Sequence, residues 1–246
     1  MINDLLLLSG NDIPFPEAKI NIHQPTIKEI AYIGEENFFI GCELLNFSKD
    51  ILSKEDKSNL ESQTNFEILM SIMRDKSANA KRNKVCATMV LMLIFPEYQI
   101  VLEKDQISLI KKGEEKHLIN NNNFESFKNI LIEMFCLKNK SGDSSYNPGN
   151  SMAKKIAEKL QKGNAKVAKL KGEANKIAIF SRYISILAVG ENKDINSFMQ
   201  YTVYQLYDEF KRFELKQDYD IYIKAKLAGA QNLDNEIDNW MKDIHS

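Results

Sequence analysis

Arginine is almost missing from this chain. Four arginines (Arg74, Arg82, Arg182, Arg212) stand beside 29 lysines in 246 residues with a formal net charge of −1. Bidentate reading of base edges is largely arginine's work, and a balanced charge gives no uniform field for phosphates. A uniformly basic, base-reading nucleic-acid binder is therefore excluded. Glycine (10) and proline (5) are also few, which excludes collagen-like repeats, and the 43% apolar content excludes disorder of the whole chain. The three cysteines (Cys42, Cys86, Cys136) are odd in number, widely spaced and without a C-x-x-C pair. They read as reduced core thiols of a cytoplasmic protein. Long apolar runs are missing too. Val85 to Phe95, broken by Thr88 and stopped by Pro96, spans about 16 Å as a helix against a bilayer core of ~30 Å. Leu5 to Leu8 follows Asp4 and ends at Gly10-Asn11-Asp12, so no targeting segment is expected.

Catalytic signatures are absent as well. There is no G-x-S-x-G, H-E-x-x-H or phosphate-cradling P-loop. His23, His117 and His245 have no partner at metal-ligand spacing on a shared helix face. Adjacent carboxylates, such as Glu35/Glu36 and Glu114/Glu115, point to different sides of a helix or strand. Asp234, Glu236 and Asp238 alternate like the opening of a calcium loop, but Asn239 stands where the sixth-position glycine is needed. The expectation is no metal, no cofactor and no enzyme; catalysis would need a site assembled from scattered residues.

What is present is mostly helical pattern. Residues 13 to 25 read as extended, because Pro14, Pro16 and Pro25 exclude a helix. Thr26 and Glu29 form a capping-box pattern that opens a helix, with a break expected near Gly34 or Gly41. Phe66, Leu69, Met70 and Met73 have helical spacing; Asn79 to Phe95 is apolar almost all round and is expected at the centre. After Pro96 the period shortens: Ile100/Leu102, Ile107/Leu109 and Leu118, with polar turns between, predict a three-stranded antiparallel meander. Asn120 to Asn123 then caps a helix through Phe135. The fold class is thus mostly α with a small antiparallel β-meander, in two parts: an α+β part over 1–137, a turn-rich linker over 138–151 and a helical part over 152–246. In the last part Ile177, Phe180, Ile184 and Leu187 predict a helix closed by Gly190. Val203, Leu206, Phe210 and Phe213 form the seam of a helix over 195–216, followed by a short helix over 219–227.

Two features invite a functional reading. From Lys154 to Lys176 eight lysines face two glutamates, a local excess of +6; Lys154, Lys155, Lys159, Lys162, Lys166 and Lys169 are candidate anion contacts. The segment has neither aromatics for stacking nor arginine, so any nucleic-acid binding would be nonspecific and weakened by salt. A plain solvated helix face is the competing explanation. The second feature is aromatic. With one face of the helix taken by its seam, Tyr201, Tyr204 and Tyr207 are left on other sides. Together with Phe210 and Trp240 they suit a protein interface, unless the short helix over 219–227 and the terminal turn cover them.

A resemblance adds to this. The stretch Phe15-Pro16-Glu17, Ile22-His23-Gln24-Pro25-Thr26-Ile27-Lys28-Glu29-Ile30, Ile33-Gly34-Glu35 and Phe38-Phe39 resembles the opening of small proteins encoded among phage tail genes. Tyr204 to Phe210, Tyr219-Asp220, Lys226 to Ala230 and the closing Trp240-Met241-Lys242-Asp243-Ile244 are similar to the ends of such proteins. The family resembled is the tail assembly chaperones of phages of low-GC Gram-positive bacteria. The resemblance implies a non-enzymatic protein in the host cytoplasm that coats the helical tape-measure protein until tail-tube subunits replace it. Its partners would be a tape-measure or tail protein, or a second copy; it carries no site residues over.

Overall fold

A computed structural model describes residues 2–49, 62–75, 77–113, 115–137, 179–229 and 240–241. The molecule begins with a short helix, α1 (Asp4–Ser9). The Asn3 side chain caps it, and Gly10 closes it with a φ of +69°. The segment expected to be extended is instead a tight hairpin. Strands β1 (Ile13–Phe15) and β2 (Ile20–Ile22) pair antiparallel around a 3-10 turn at Pro16–Ala18. Pro16 supplies the turn's fixed φ, and Lys19 leaves it in the left-handed region. The hairpin buries Ile13, Phe15, Ile20 and Ile22 on one side, so the period-2 reading of Ile20 and Ile22 holds locally.

The Thr26/Glu29 capping box forms as expected and opens α2 (Ile27–Ile33). Gly34, at φ +84°, ends α2 and starts α3 (Glu35–Leu45). Gly41 does not break α3. It lets α3 press onto α5 so closely that a Cβ there would lie 2.5 Å from the Cys86 carbonyl oxygen. A second capping box, Thr64 with Glu67, opens α4 (Asn65–Arg74), and α5 (Ala78–Ile94) follows. Helix α5 is central, burying Cys86, Ala87, Val90, Leu91 and Ile94. It is not surrounded, however: Val85 and Met92 are 52% and 58% exposed, because α3 and α4 take one side and leave the other to solvent.

The meander is present as β3 (Gln99–Leu102), β4 (Ile107–Ile110) and β5 (His117–Ile119), paired antiparallel in that order. Helix α6 (Phe124–Met134) follows. Asn123 precedes it, but its side-chain amide donates to the Leu118 carbonyl (2.9 Å) and its oxygen accepts from Asn120 N–H (2.9 Å), tying the helix start to β5.

The expected linker, 138–151, lies outside the described residues, as does everything to 178. Beyond it come α7 (Ile179–Glu191), α8 (Ile195–Phe198) and α9 (Val203–Leu227). Two details differ from the sequence expectation. Gly190 lies inside α7; the left-handed residue that ends the helix is Asn192, with Lys193 N–H donating back to the Ala188 carbonyl (3.1 Å). The helix expected over 195–216 is split, while the one expected over 219–227 is not separate. Thr202 and Gln205 form a third capping box that restarts the chain, and with no glycine or proline before residue 227, α9 continues unbroken.

These last helices pack on the earlier ones. Phe180, Ile184, Leu187, Phe198, Val203, Tyr204 and Leu206 join the same buried apolar cluster as Phe15, Phe38, Phe95 and Phe127. The contact is also polar. Ile27 N–H donates to the Tyr201 carbonyl (2.8 Å) and Lys28 N–H to that of Met199 (2.9 Å). Two N–H groups that the first turn of α2 would leave unsatisfied are thereby completed by the α8–α9 turn. At α7, Phe180 N–H donates to the Glu35 carboxylate (2.7 Å).

Candidate functional site

The aromatic residues singled out in the sequence come together, mainly as an inner seam between α7 and α9. Phe210 stacks on Tyr183 with ring centres 3.8 Å apart and planes within 8°. Tyr207 meets Tyr183 and Phe180 edge-on at 5.4 and 6.3 Å. Phe180 in turn packs on Phe38 and Phe39, which carries the seam into the core. Tyr204 is 6% exposed, and its hydroxyl points at Asp4 across 3.4 Å. Burial first, and the Asp4 charge second, push its phenol well above the ordinary range. Tyr201 lies half-buried against Phe198 at 5.4 Å. The cover for these rings is α7 and the body of the molecule. Spacing along one helix shows which side a tyrosine leaves by; it cannot show that α7 waits there.

Trp240 sits apart from the seam, at the rim of a cleft of about 410 Å³ between the end of α7 and the middle of α9. Gly190, Glu191, Lys193, Glu209, Arg212 and Lys216 line it, with Phe213, Gln217 and Trp240. The Phe213 ring fills the space a side chain at Gly190 would need. Lys193 spans one wall, 2.7 Å from Glu191 and 3.0 Å from Glu209. Those two partners, Glu191 first, raise its ammonium above the usual lysine range and keep it charged. On α9, Arg212 donates from Nη1 to the Trp240 carbonyl (3.0 Å). Past this cleft α9 runs on to Leu227, and Ile221 and Leu227 are 63% and 83% exposed.

Other candidates are placed as follows. His23 lies between Asp12 (3.0 Å from Nδ1) and Glu29 (3.4 Å from Nε2), two carboxylates that the fold brings in from other segments. Burial alone would raise the Glu29 carboxyl, but the Thr26 N–H and hydroxyl, with His23, hold it below its usual value. His117 Nδ1 is 3.0 Å from the Ala18 carbonyl and ties the meander to the hairpin turn. Burial pushes the Cys42 thiol well up, and Cys136, buried and also near the Asp208 charge, is pushed up to about 12. Among the described residues no group of His, Cys, Asp and Glu could hold a metal ion, and no helix is long and apolar enough to cross a membrane. The six candidate lysines (Lys154 to Lys169), His245 and the Asp234/Glu236/Asp238 run lie outside the described residues.

One comparison bears on this half of the molecule. A family model described as the YomV second domain matches residues 171–245, about three-tenths of the chain. Helices α7, α8 and α9 and the Trp240 cleft all fall within the matched stretch, which is similar to a phage-type domain. No curated protein and no solved structure matches the chain.

Proposed function

We propose that the chain is a non-enzymatic phage protein that binds other phage proteins through its C-terminal helices, as a tail-assembly-chaperone-like or virion-associated component. The observation that carries this is the match of residues 171–245 to a phage-type domain. Its agreement with the tail-gene resemblance of the chain's ends adds support. The geometry fits a binding role for α9. Its buried residues lie among its first four positions, Val203, Tyr204 and Leu206. The helix then continues for 25 residues in all, about 37 Å, and presents Ile221 and Leu227 to solvent. An amphipathic helical client such as a tape-measure protein is recognised through apolar anchors of this kind.

Deleting the C-terminal helices is a poor test, because Phe198, Val203 and Leu206 belong to the core. The better experiment is co-expression with the tape-measure protein of the same phage, followed by affinity pull-down. The wild-type chain is expected to retain the tape-measure protein. The double variant Ile221→Asp, Leu227→Asp is expected to lose it while keeping its helical circular dichroism. Equal retention by both chains would remove α9 from the interface, and no retention by either would sink the chaperone reading.

A further inference from the structure

We propose that β3 is a self-pairing sheet edge, through which two copies of this chain join antiparallel about a two-fold axis. The surface is not that of α9, and the proposal does not rest on the binding role just given. The strand order β3-β4-β5 leaves β3 and β5 as edges. Glu103 N–H donates to the Gln106 carbonyl (2.9 Å), so this pair closes the β3–β4 turn. Hydrogen-bonded and non-hydrogen-bonded pairs alternate along an antiparallel ladder. In the observed register the non-hydrogen-bonded pairs are therefore Leu102 with Ile107 and Ile100 with Leu109. The N–H and C=O groups of Ile100 and Leu102 thus point away from β4, out of the sheet edge. Among the described residues no hydrogen bond takes up these groups.

Edges of this kind are commonly guarded by lysine, proline, a bulge or a covering segment. The β5 edge has such guards: Lys116 precedes it, and His117 Nδ1 meets the Ala18 carbonyl of the hairpin turn at 3.0 Å. The β3 residues, Gln99-Ile100-Val101-Leu102, carry no charge and no proline, and they pair with β4 without a bulge. They are exposed or half-buried along the whole strand, whereas β4 is buried at Ile107, Ser108 and Leu109. What selects a second copy as the occupant is self-complementarity. With Val101 on the axis, Ile100 of each copy lies opposite Leu102 of the other, and the outward N–H and C=O groups of both copies pair with each other. Ile100 and Leu102 share a face with the buried Leu109 and Ile107, so the apolar row runs on from one sheet into the next. On the opposite face Val101 meets Val101, and Gln99 lies beside Glu103. The like charges that this register brings near each other, Glu97 and Asp105, fall beyond the strand ends, where Glu97 is held by its own Lys111 (2.6 Å).

Sedimentation of the full-length chain over a range of concentrations tests the association, and a reversible monomer–dimer equilibrium is expected. Val101→Lys sets two ammonium groups face to face on the axis. It is expected to weaken the dimer about tenfold, with unchanged circular dichroism. The register is tested separately by cross-linking. Val101 faces itself at a non-hydrogen-bonded position, where Cα atoms are about 4.5 Å apart, a separation that a disulfide spans. With oxidised glutathione, Val101→Cys is expected to give a covalent dimer that dithiothreitol reverses. Gln99→Cys, placed opposite Glu103, is expected to cross-link about tenfold less. A monomer at every concentration, a dimer undiminished by Val101→Lys, or no preference for cross-linking at Val101 over Gln99 would overturn the proposal.

Discussion

Two glycines show how the same residue type limits this fold for different reasons. At Gly41 an added Cβ would meet the Cys86 carbonyl group, backbone that cannot move without displacing α5. At Gly190 it would meet the tip of the Phe213 ring at 2.2 Å, a side chain able to rotate toward the cleft. Gly41→Ala is therefore expected to cost about 2 kcal/mol, within the usual range for overpacking. Gly190→Ala, which gains helix propensity as the ring swings away, is expected to cost under ~1 kcal/mol. Urea unfolding of both variants checks this, and a Gly190 variant as damaged as the Gly41 variant would contradict it. In the sequence the two glycines look alike, as possible helix breaks or stops, and neither breaks a helix. Only the partner surface distinguishes them.

At the scale of elements, local patterns with their own hydrogen bonds were the readable ones. The Thr26/Glu29 box is a pair of contacts within one turn, so its four-residue signature sufficed; the meander, built from adjacent strands, was legible for the same reason. Its turn also makes a pH prediction. Lys116 first, then the Ser108 hydroxyl (2.8 Å) and the Gln106 amide (2.6 Å), hold the Glu103 carboxyl down to about 2 from a usual 4.5. A carboxyl depressed in the folded state adds stability that is fully present above its unfolded value. That contribution is lost as pH falls through the folded value. The β3–β4 hairpin should therefore weaken between about pH 4.5 and pH 2. The difference in unfolding free energy between the wild type and Glu103→Gln should shrink over that range; a difference independent of pH would argue against the contact. What failed at this scale were helix ends. Asn192 rather than Gly190 terminates α7, and Thr202 restarts the chain, because both depend on where the next element lies.

For the whole molecule, the informative feature is the packing of the matched helices on the earlier elements. The α8–α9 turn supplies carbonyls to α2, Glu35 caps α7, and Phe198 is fully buried. Phe198→Ala should cost about 3–5 kcal/mol. Because the contact is shared, the hydrogen-exchange protection of α2 amides should fall with that of α7 and α9. Protection lost in α7 and α9 alone would show that the later helices are energetically separate.

The sequence by itself determined the fold class: helices from 3.6-residue apolar periodicity, a small meander from the shortened period after Pro96, and a helix cap from Thr26 with Glu29. These are local, and each is written within a few consecutive residues. Tertiary structure alone decided the rest. Which side of α9 meets the rest of the chain is one such matter: Phe210 stacks on Tyr183 of α7, and Tyr207 packs edge-on against Tyr183 and Phe180. The gathering of Lys193, Arg212, Lys216 and Trp240 around one cleft joins residues up to 47 positions apart. No periodicity records such a distance, because what brings these residues together is the burial of the seam beneath them.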